Sequence, residues 1–313
     1  MGAYIAVDVG GTQIRVAVFP EEGIEPLVQK KILTQDKNES PEQRLMDLIA
    51  ELWPAQEQVL GIGVAAPGPL NPKAGVIIKA PNIPSWINLQ LTDLIQKRFN
   101  VPAALGNDAN LAALGEWKYG AGRGHDNLIY LTISTGIGGG VICDGHLLLG
   151  QYGFAAELGH VAIMPDGPIC SCGRPGHLEA VASGTGIANY VAAELAKGVP
   201  SSLSNNGLPS AKDINLAAQK GDPLAIAALE RAGAYLGMAL ANYLHIFNPS
   251  IIILGGGVTQ SGDLLFKPMK AALAERVMGP EYLWNMTITS AALGDMVGLL
   301  GALGLARELR GQL

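Results

Sequence analysis

The sequence predicts a two-lobed α/β protein, and three observations carry that expectation. The chain has 313 residues, of which 49% are hydrophobic and only 15% charged, enough for more than one buried core. Apolar strands alternate with helical segments from end to end, the pattern of α/β architecture. A strand–turn–strand unit rich in glycine and threonine also occurs twice, near residue 10 and again near residue 136, as a duplicated lobe would carry it.

In chain order, Tyr4 to Val7 and Ile14 to Phe19 are the strands of the first unit, and Asp8-Val9-Gly10-Gly11-Thr12 is its tip. Leu27 to Leu33 reads as a third strand, and Pro41 to Leu52 as a helix with Ser40 as N-cap. Val59 to Ala65 is a strand running into the Pro67-Gly68-Pro69 turn. Leu91 to Phe99 is a helix, Ala103 to Leu105 a short buried strand, and Asp108 to Tyr119 a helix opening at Asn107-Asp108. The second unit consists of the strand Asn127 to Ile133, the turn Ser134 to Gly140 and the return strand Val141 to Cys143. Helices follow over Gly184 to Ala196, Ala211 to Gln219 and Pro223 to Phe247; the last would serve a core or an interface. The strand Ile251 to Leu254, a helix after Gly262, the strand Met286 to Thr289 and a helix from Asp295 complete the pattern. Clustered glycines near Trp117 to Gly124 mark a boundary. The expected N-terminal lobe is therefore residues 1–117 and the C-terminal lobe 118–294, with the helix 295–313 crossing back to the first.

Glycine turns let a backbone approach a bound group closely, and their N–H dipoles suit phosphate oxygens. Taken alone, Gly10, Gly11 and Thr12 are equally an ordinary hairpin. The second turn, with Thr135, Gly136 and Gly138, supplies a partner that would hold the other end of a triphosphate across a cleft. A third cluster, Gly255-Gly256-Gly257, follows an apolar strand and would let a flat base lie against the backbone. Asp8, at a strand end, suits a hydrated Mg²⁺.

Asp108 opens a helix between the two turns. An Asp there is most often a cap. Between two phosphate-binding turns it becomes the leading general base, accepting a proton from a sugar hydroxyl that attacks a γ-phosphoryl group, with Asn107 fixing another hydroxyl beside it. The segment Glu157-Leu158-Gly159-His160 precedes Cys170-Ser171-Cys172-Gly173-Arg174-Pro175-Gly176-His177-Leu178-Glu179. His160, Cys170, Cys172 and His177 are four ligands of the types tetrahedral Zn²⁺ prefers, although a Cys-x-Cys pair by itself is a weak signal. If His160 ligates metal through one nitrogen, its other nitrogen faces a substrate hydroxyl, bracketed by Glu157 and Glu179; the alternative is that both carboxylates are solvated loop charges. Asn82 lies in a proline-rich loop and offers an amide to a sugar, Gly68 offers its backbone, and Trp86 reads as packing.

Composition excludes several classes. A net charge of −6 and a pI near 5.4 give no footprint for nucleic acid. No uninterrupted apolar run reaches the roughly 20 residues of a membrane span, and the N-terminal stretch has no basic segment or cleavage site, so a soluble cytoplasmic protein is expected. Three cysteines exclude a disulfide scaffold, and Cys143 reads as a small buried hydrophobe. There is no Gly-x-x-x-x-Gly-Lys-Ser/Thr loop. The Gly-x-Gly-x-x-Ala match at Gly61 to Ala66 is accidental, because Pro67 stands where a dinucleotide-binding helix would start.

These motifs, Asp8-Val-Gly-Gly-Thr12, Ala66-Pro-Gly-Pro69, Ala80-Pro-Asn-Ile-Pro-Ser-Trp86, Asn107-Asp-Ala-Asn110, Ser134-Thr-Gly-Ile-Gly-Gly-Gly140, Glu157-Leu-Gly-His160 and the Cys170 to Glu179 loop, resemble the ROK family of sugar kinases and repressors. They run in family order across nearly the whole chain. The resemblance implies an actin-like (ribonuclease H-like) two-lobed ATPase fold, Mg-ATP above a sugar in the cleft, and a homodimer. It implies Asp108 as base and Asn82, Asn107, Glu157, His160 and Glu179 as sugar contacts. Lobe closure would exclude water. One departure stands out: the family loop reads Cys-x-Cys-Gly-x-x-Gly-Cys-x-Glu, and here its third cysteine is His177, which gives Cys₂His₂ in place of Cys₃His.

The leading expectation is an ATP-dependent glucokinase, and its nearest alternative a kinase for fructose, mannose, N-acetylglucosamine or N-acetylmannosamine. The repressors of the family carry a DNA-binding module ahead of the kinase-like region, and here the first strand starts at about residue 3. A sensor with a dead site would require loss of Asp108 or the phosphate turns, and all are present.

Overall fold

The computed structural model describes residues 2–203 and 207–309. Residues 310–313 of the expected C-terminal helix lie outside them. The chain runs β1 (Gly2–Val9), β2 (Gln13–Pro20), β3 (Val28–Leu33), α1 (Pro41–Glu51), β4 (Gln58–Ala66), β5 (Leu70–Asn71), β6 (Val76–Lys79), β7 (Ile87–Gln90) and α2 (Leu91–Phe99). It continues through β8 (Ala103–Asn107), α3 (Asp108–Tyr119), β9 (Leu128–Ile133), β10 (Ile137–Cys143), β11 (His146–Leu147), α4 (Leu178–Ala182) and α5 (Gly184–Ala196). Then come α6 (Ala211–Gln219), α7 (Pro223–Phe247), β12 (Ile251–Gly255), α8 (Asp263–Arg276), β13 (Thr287–Ser290) and α9 (Val297–Glu308).

The suspected duplication is visible in the sheets. One has the order β3-β2-β1-β4-β8 and the other β11-β10-β9-β12-β13. In each, an antiparallel hairpin forms one side and two parallel strands the other. The first core lies between its sheet and α1 and α2, around Ile5, Val7, Leu45, Ile62, Trp86 and Ile95. The second surrounds α7, against which α4, α5, α6 and α8 pack. By length and composition α7 would cross a membrane, yet 61% of its apolar window is buried inside the protein. It is a core helix. Arg231, midway along it, stacks over Tyr190 and Tyr235.

α3 and α9 form the layer between the two sheets. α3 packs on β9 and β10, and α9 on β1 and β4. Small residues make the crossing close: a Cβ at Gly301 would overlap the Leu111 carbonyl, one at Gly63 the Ala302 carbonyl, and one at Gly115 would come 2.9 Å from the Gly301 nitrogen. Glu116, wholly buried on α3, ties this layer to both connections between the sheets. Its carboxylate accepts N–H groups of Ala121, on the path to β9, and of Ala292 and Leu293, on the path to α9, at 2.8 to 2.9 Å.

Three expectations need correction. Gly138, Gly139 and Gly140 belong to β10 and not to the turn, which closes at Gly136. The reason is packing, since side chains at Gly138 and Gly140 would meet Ala109 and Ala113 of α3. The small sheet β5-β6-β7 passed unseen because its strands have two to four residues. Cys143 is half-buried at a strand end. Replacing Gly301 with Ala forces the α3–α9 crossing apart; urea unfolding should record a loss of about 3 kcal/mol.

Candidate active site

The first hairpin tip is held from behind. Thr34, fully buried, donates its hydroxyl to the Gly10 carbonyl at 2.6 Å and its N–H to the Thr12 carbonyl at 2.9 Å. Gly11 lies against Asn82 so closely that a Cβ would overlap that side chain. The second turn is braced by α5, where Gly184 N–H donates to the Ser134 carbonyl at 2.7 Å. Two cavities meet at this turn. One, of about 500 Å³, includes Asn82, Thr135, Gly136, Cys170 and Glu179 in its walls. The other, of about 750 Å³, is lined by Thr135, Lys212, Asn215, Gly257 and Gln260. Thr135 and Thr185 belong to both. Of the third glycine cluster only Gly257 lines the larger cavity. Gly255 is buried beside Tyr130, and Gly256 crowds the Ile133 carbonyl.

Asp8 is not a free carboxylate. The register places it opposite Arg15, which donates Nε to Oδ2 at 3.1 Å and Nη2 to the same oxygen, while Nη1 reaches the Asp295 carbonyl at 2.6 Å. An added Cβ at Gly298, in the first turn of α9, would stand 2.5 Å from the same oxygen, so the start of that helix lies close to the carboxylate. Asp8 still fits a hydrated Mg²⁺, which takes one or two carboxylates and keeps several waters. The sequence reading missed Arg15, although strand pairing from a tight tip would have put it across from Asp8.

Asn107 is the N-cap of α3, and its side chain accepts the N–H groups of Ala109 (3.0 Å) and Asn110 (3.2 Å). The cap is therefore Asn107 and not Asp108. Gly68 sits against the Asn107 amide, where an added Cβ would stand 3.1 Å from it. Asp108 accepts Ala109 N–H at 2.8 Å; the residue is exposed to solvent on one side while protein crowds its carboxyl elsewhere. Desolvation, with repulsion from Asp8 and Glu157, raises its pKa to about 6. Burial thus outweighs the start of α3, whose N-terminal dipole by itself would favour the ion.

The four expected metal ligands converge. The ligating atoms of His160, Cys170, Cys172 and His177 all lie within 4.8 Å of one another. Cys170 Sγ is 3.5 Å from His160 Nδ1, and Cys172 Sγ is 3.2 Å from His177 Nδ1. A zinc tetrahedron with bonds of about 2.0 to 2.3 Å has edges near 3.5 Å, so the set fits the ion. With Nδ1 toward the cluster, His160 turns Nε2 to Glu157, 4.0 Å away. Glu179 accepts Ile137 N–H at 3.0 Å and the Ser171 hydroxyl at 2.6 Å, and these bonds, opposing its burial, lower its pKa. Trp86 is fully buried and donates to Glu42 at 3.0 Å, as expected of a packing residue.

The profile of the ROK family matches residues 4–309. The chain belongs to the ROK family. A glucokinase of Thermotoga maritima is 39% identical over 310 residues, 97% of either chain. A ROK glucokinase of Streptomyces griseus, solved with glucose and AMPPNP, superposes with a TM-score of 0.79 at 35% identity, over 98% of this chain and 100% of that one. A xylose repressor of Bacillus subtilis is 34% identical over 96% of this chain, which spans 76% of the repressor. This ROK protein therefore has the two-lobed actin-like fold and is an enzyme of the hexokinase type, which phosphorylates a sugar.

A raised Asp108 pKa carries a stability cost with a definite sign. Between about pH 4 and 6 the unfolded chain releases this proton before the folded one does, so folding weakens as pH rises through that window. Asp108→Asn removes the penalty, and differential scanning at pH 7.5 should give a higher melting temperature than the parent's, with the gap closing toward pH 4.

Proposed function

We propose that the chain is an ATP-dependent glucokinase in which Asp108 is the general base. The observation that supports this best is the Asp108 carboxylate itself: uncommitted to capping, raised to a pKa of about 6, and facing the cleft between Asp8 and Glu157. Such a carboxylate is ionised at neutral pH and basic enough to take a proton as charge develops. It would accept the proton of the 6-hydroxyl while that oxygen bonds to the γ-phosphorus and the bond to the ADP oxygen breaks. Asn82, Asn107, Glu157, His160, Glu179 and the Gly68 backbone would orient the sugar. Gly10, Gly11 and Thr12 on one side, and Thr135 and Gly136 on the other, would hold the phosphates, with the base in the larger cavity near Gly257. Gly138, Gly255 and Gly256 would act by permitting close packing behind these turns. Glucose is favoured because glucokinases of Thermotoga maritima and Streptomyces coelicolor are 39% and 35% identical to this chain over nearly its full length.

Asp8 would hold a hydrated Mg²⁺, which supplies charge neutralisation for the polyphosphate. A zinc ion on His160, Cys170, Cys172 and His177 would be structural, fixing the loop that carries Glu179. We further assign residues 1–117 with α9 to one lobe and 118–294 to the other, with closure between them excluding water.

The test is ADP release with Mg-ATP against glucose, mannose, fructose, N-acetylglucosamine and N-acetylmannosamine. Turnover of glucose well above the others is expected, and dominance of another sugar would reassign the substrate. Asp108→Ala should lower kcat about 10³-fold while glucose still binds. In the parent, kcat/KM should rise with pH through about 6 and then level off. Near-normal turnover by the variant would remove Asp108 as base. Elemental analysis should find about one zinc per chain, and chelation should lower the melting temperature.

A further inference from the structure

Glu179 is gripped at both oxygens. Oε2 accepts the Ile137 N–H of the second phosphate turn at 3.0 Å. Oε1 accepts the Ser171 hydroxyl at 2.6 Å, with Cys170 Sγ 3.3 Å away. The Ser171 bond has the length of a charge-assisted O–H···O⁻ contact, about 2.5 to 2.7 Å and roughly twice as strong as a neutral one. Ser171 stands between Cys170 and Cys172, so its backbone is fixed on each side by a member of the metal cluster. The Cys-x-Cys pattern leaves the middle residue open, and in this chain it is a serine. Ser171 and Glu179 line the same 500 Å³ cavity as Asn82 and Thr135.

We propose that Ser171 is a positioning residue for the sugar. By holding Oε1 while Ile137 holds Oε2, it fixes the plane of the Glu179 carboxylate, and the remaining lone pairs stay aimed into the cavity. An ionised carboxylate has about four acceptor sites; the Ile137 N–H, the Ser171 hydroxyl and, while it keeps its proton, the Cys170 thiol occupy up to three, which leaves at least one for a sugar hydroxyl. A carboxylate on three rotatable bonds with one anchor must be ordered by the sugar itself, which lowers affinity without touching the chemical step. The serine thereby couples the metal loop to sugar affinity. The inference deepens the proposed function and rests on its assignment of Glu179 to the sugar.

Steady-state kinetics of Ser171→Ala, Ser171→Thr and Glu179→Gln, with zinc content measured on each, test it. Ser171→Ala should raise the glucose KM about tenfold, the scale of losing a supporting hydrogen bond, with kcat within about twofold, KM for ATP unchanged and zinc retained. Ser171→Thr, which restores the hydroxyl, should return the glucose KM toward the parent value. An unchanged glucose KM in zinc-replete Ser171→Ala overturns the proposal. So does a rise that accompanies zinc loss and is reversed by added zinc. Glu179→Gln separates the two levels: if it too leaves the glucose KM unchanged, the sugar assignment of Glu179 fails. If it raises KM and Ser171→Ala does not, only the positioning role fails.

Discussion

The backbone contact between α3 and α9 is the constraint on which the rest of the structure depends. Gly301 lies on the Leu111 carbonyl and Gly115 on the Gly301 nitrogen, so the two helices cross with no side chain between them. That crossing fixes where both helices begin. α3 begins with Asp108, and the first turn of α9 lies against Asp8. Two carboxylates from distant parts of the chain are thus set at one cleft by the spacing of two helices. Because cores are close-packed, a wider crossing at this layer would shift both groups together.

The two halves share strand order but divide the work. The first hairpin tip is braced by Thr34 from the neighbouring loop, the second by the start of α5. Among the described residues, only the second carries a carboxylate directly on its backbone, where Glu179 takes the Ile137 N–H and a side chain at Gly136 would collide with it. One carboxylate therefore joins a glycine turn, the Cys170–His177 loop and the wall of a cavity. The matching strand orders present two similar turns, and the segment from β11 into α4 carries the groups that distinguish them.

Long elements were legible in the sequence because hydrophobic period and caps agree there. Leu91–Phe99, Asp108–Tyr119, Gly184–Ala196 and Pro223–Phe247 have the bounds that their patterns predict. Asn107, Asp108, Glu157, His160 and the Cys170–Glu179 loop stood out in the sequence as candidates because amide, carboxylate, imidazole and thiol groups cluster there in short loops and at a helix start. What remained hidden is contact across the fold. Arg15 on Asp8, Ser171 on Glu179 and Glu116 on the connecting loops are pairs whose meaning exists only once strands are in register or helices are packed. The run Gly138 to Gly140 misled for the same reason: glycine reads as a turn in sequence, whereas here it admits a helix against a strand.

The raised pKa of Asp108 follows from how its neighbours are satisfied. Asp8 has Arg15 and the start of α9; Asn107 takes the capping bonds that a carboxylate at a helix start would ordinarily use. Asp108 is left with one N–H, two carboxylates nearby and protein around it. An Asp that capped the helix would be comfortable as an ion and a poor acceptor of protons. Assigning the cap to Asn107 frees the next residue from that role, and the raised pKa that results would suit the general base proposed for it. The Asn-Asp pair is therefore one device: the amide stabilises the helix so that the carboxylate beside it need not.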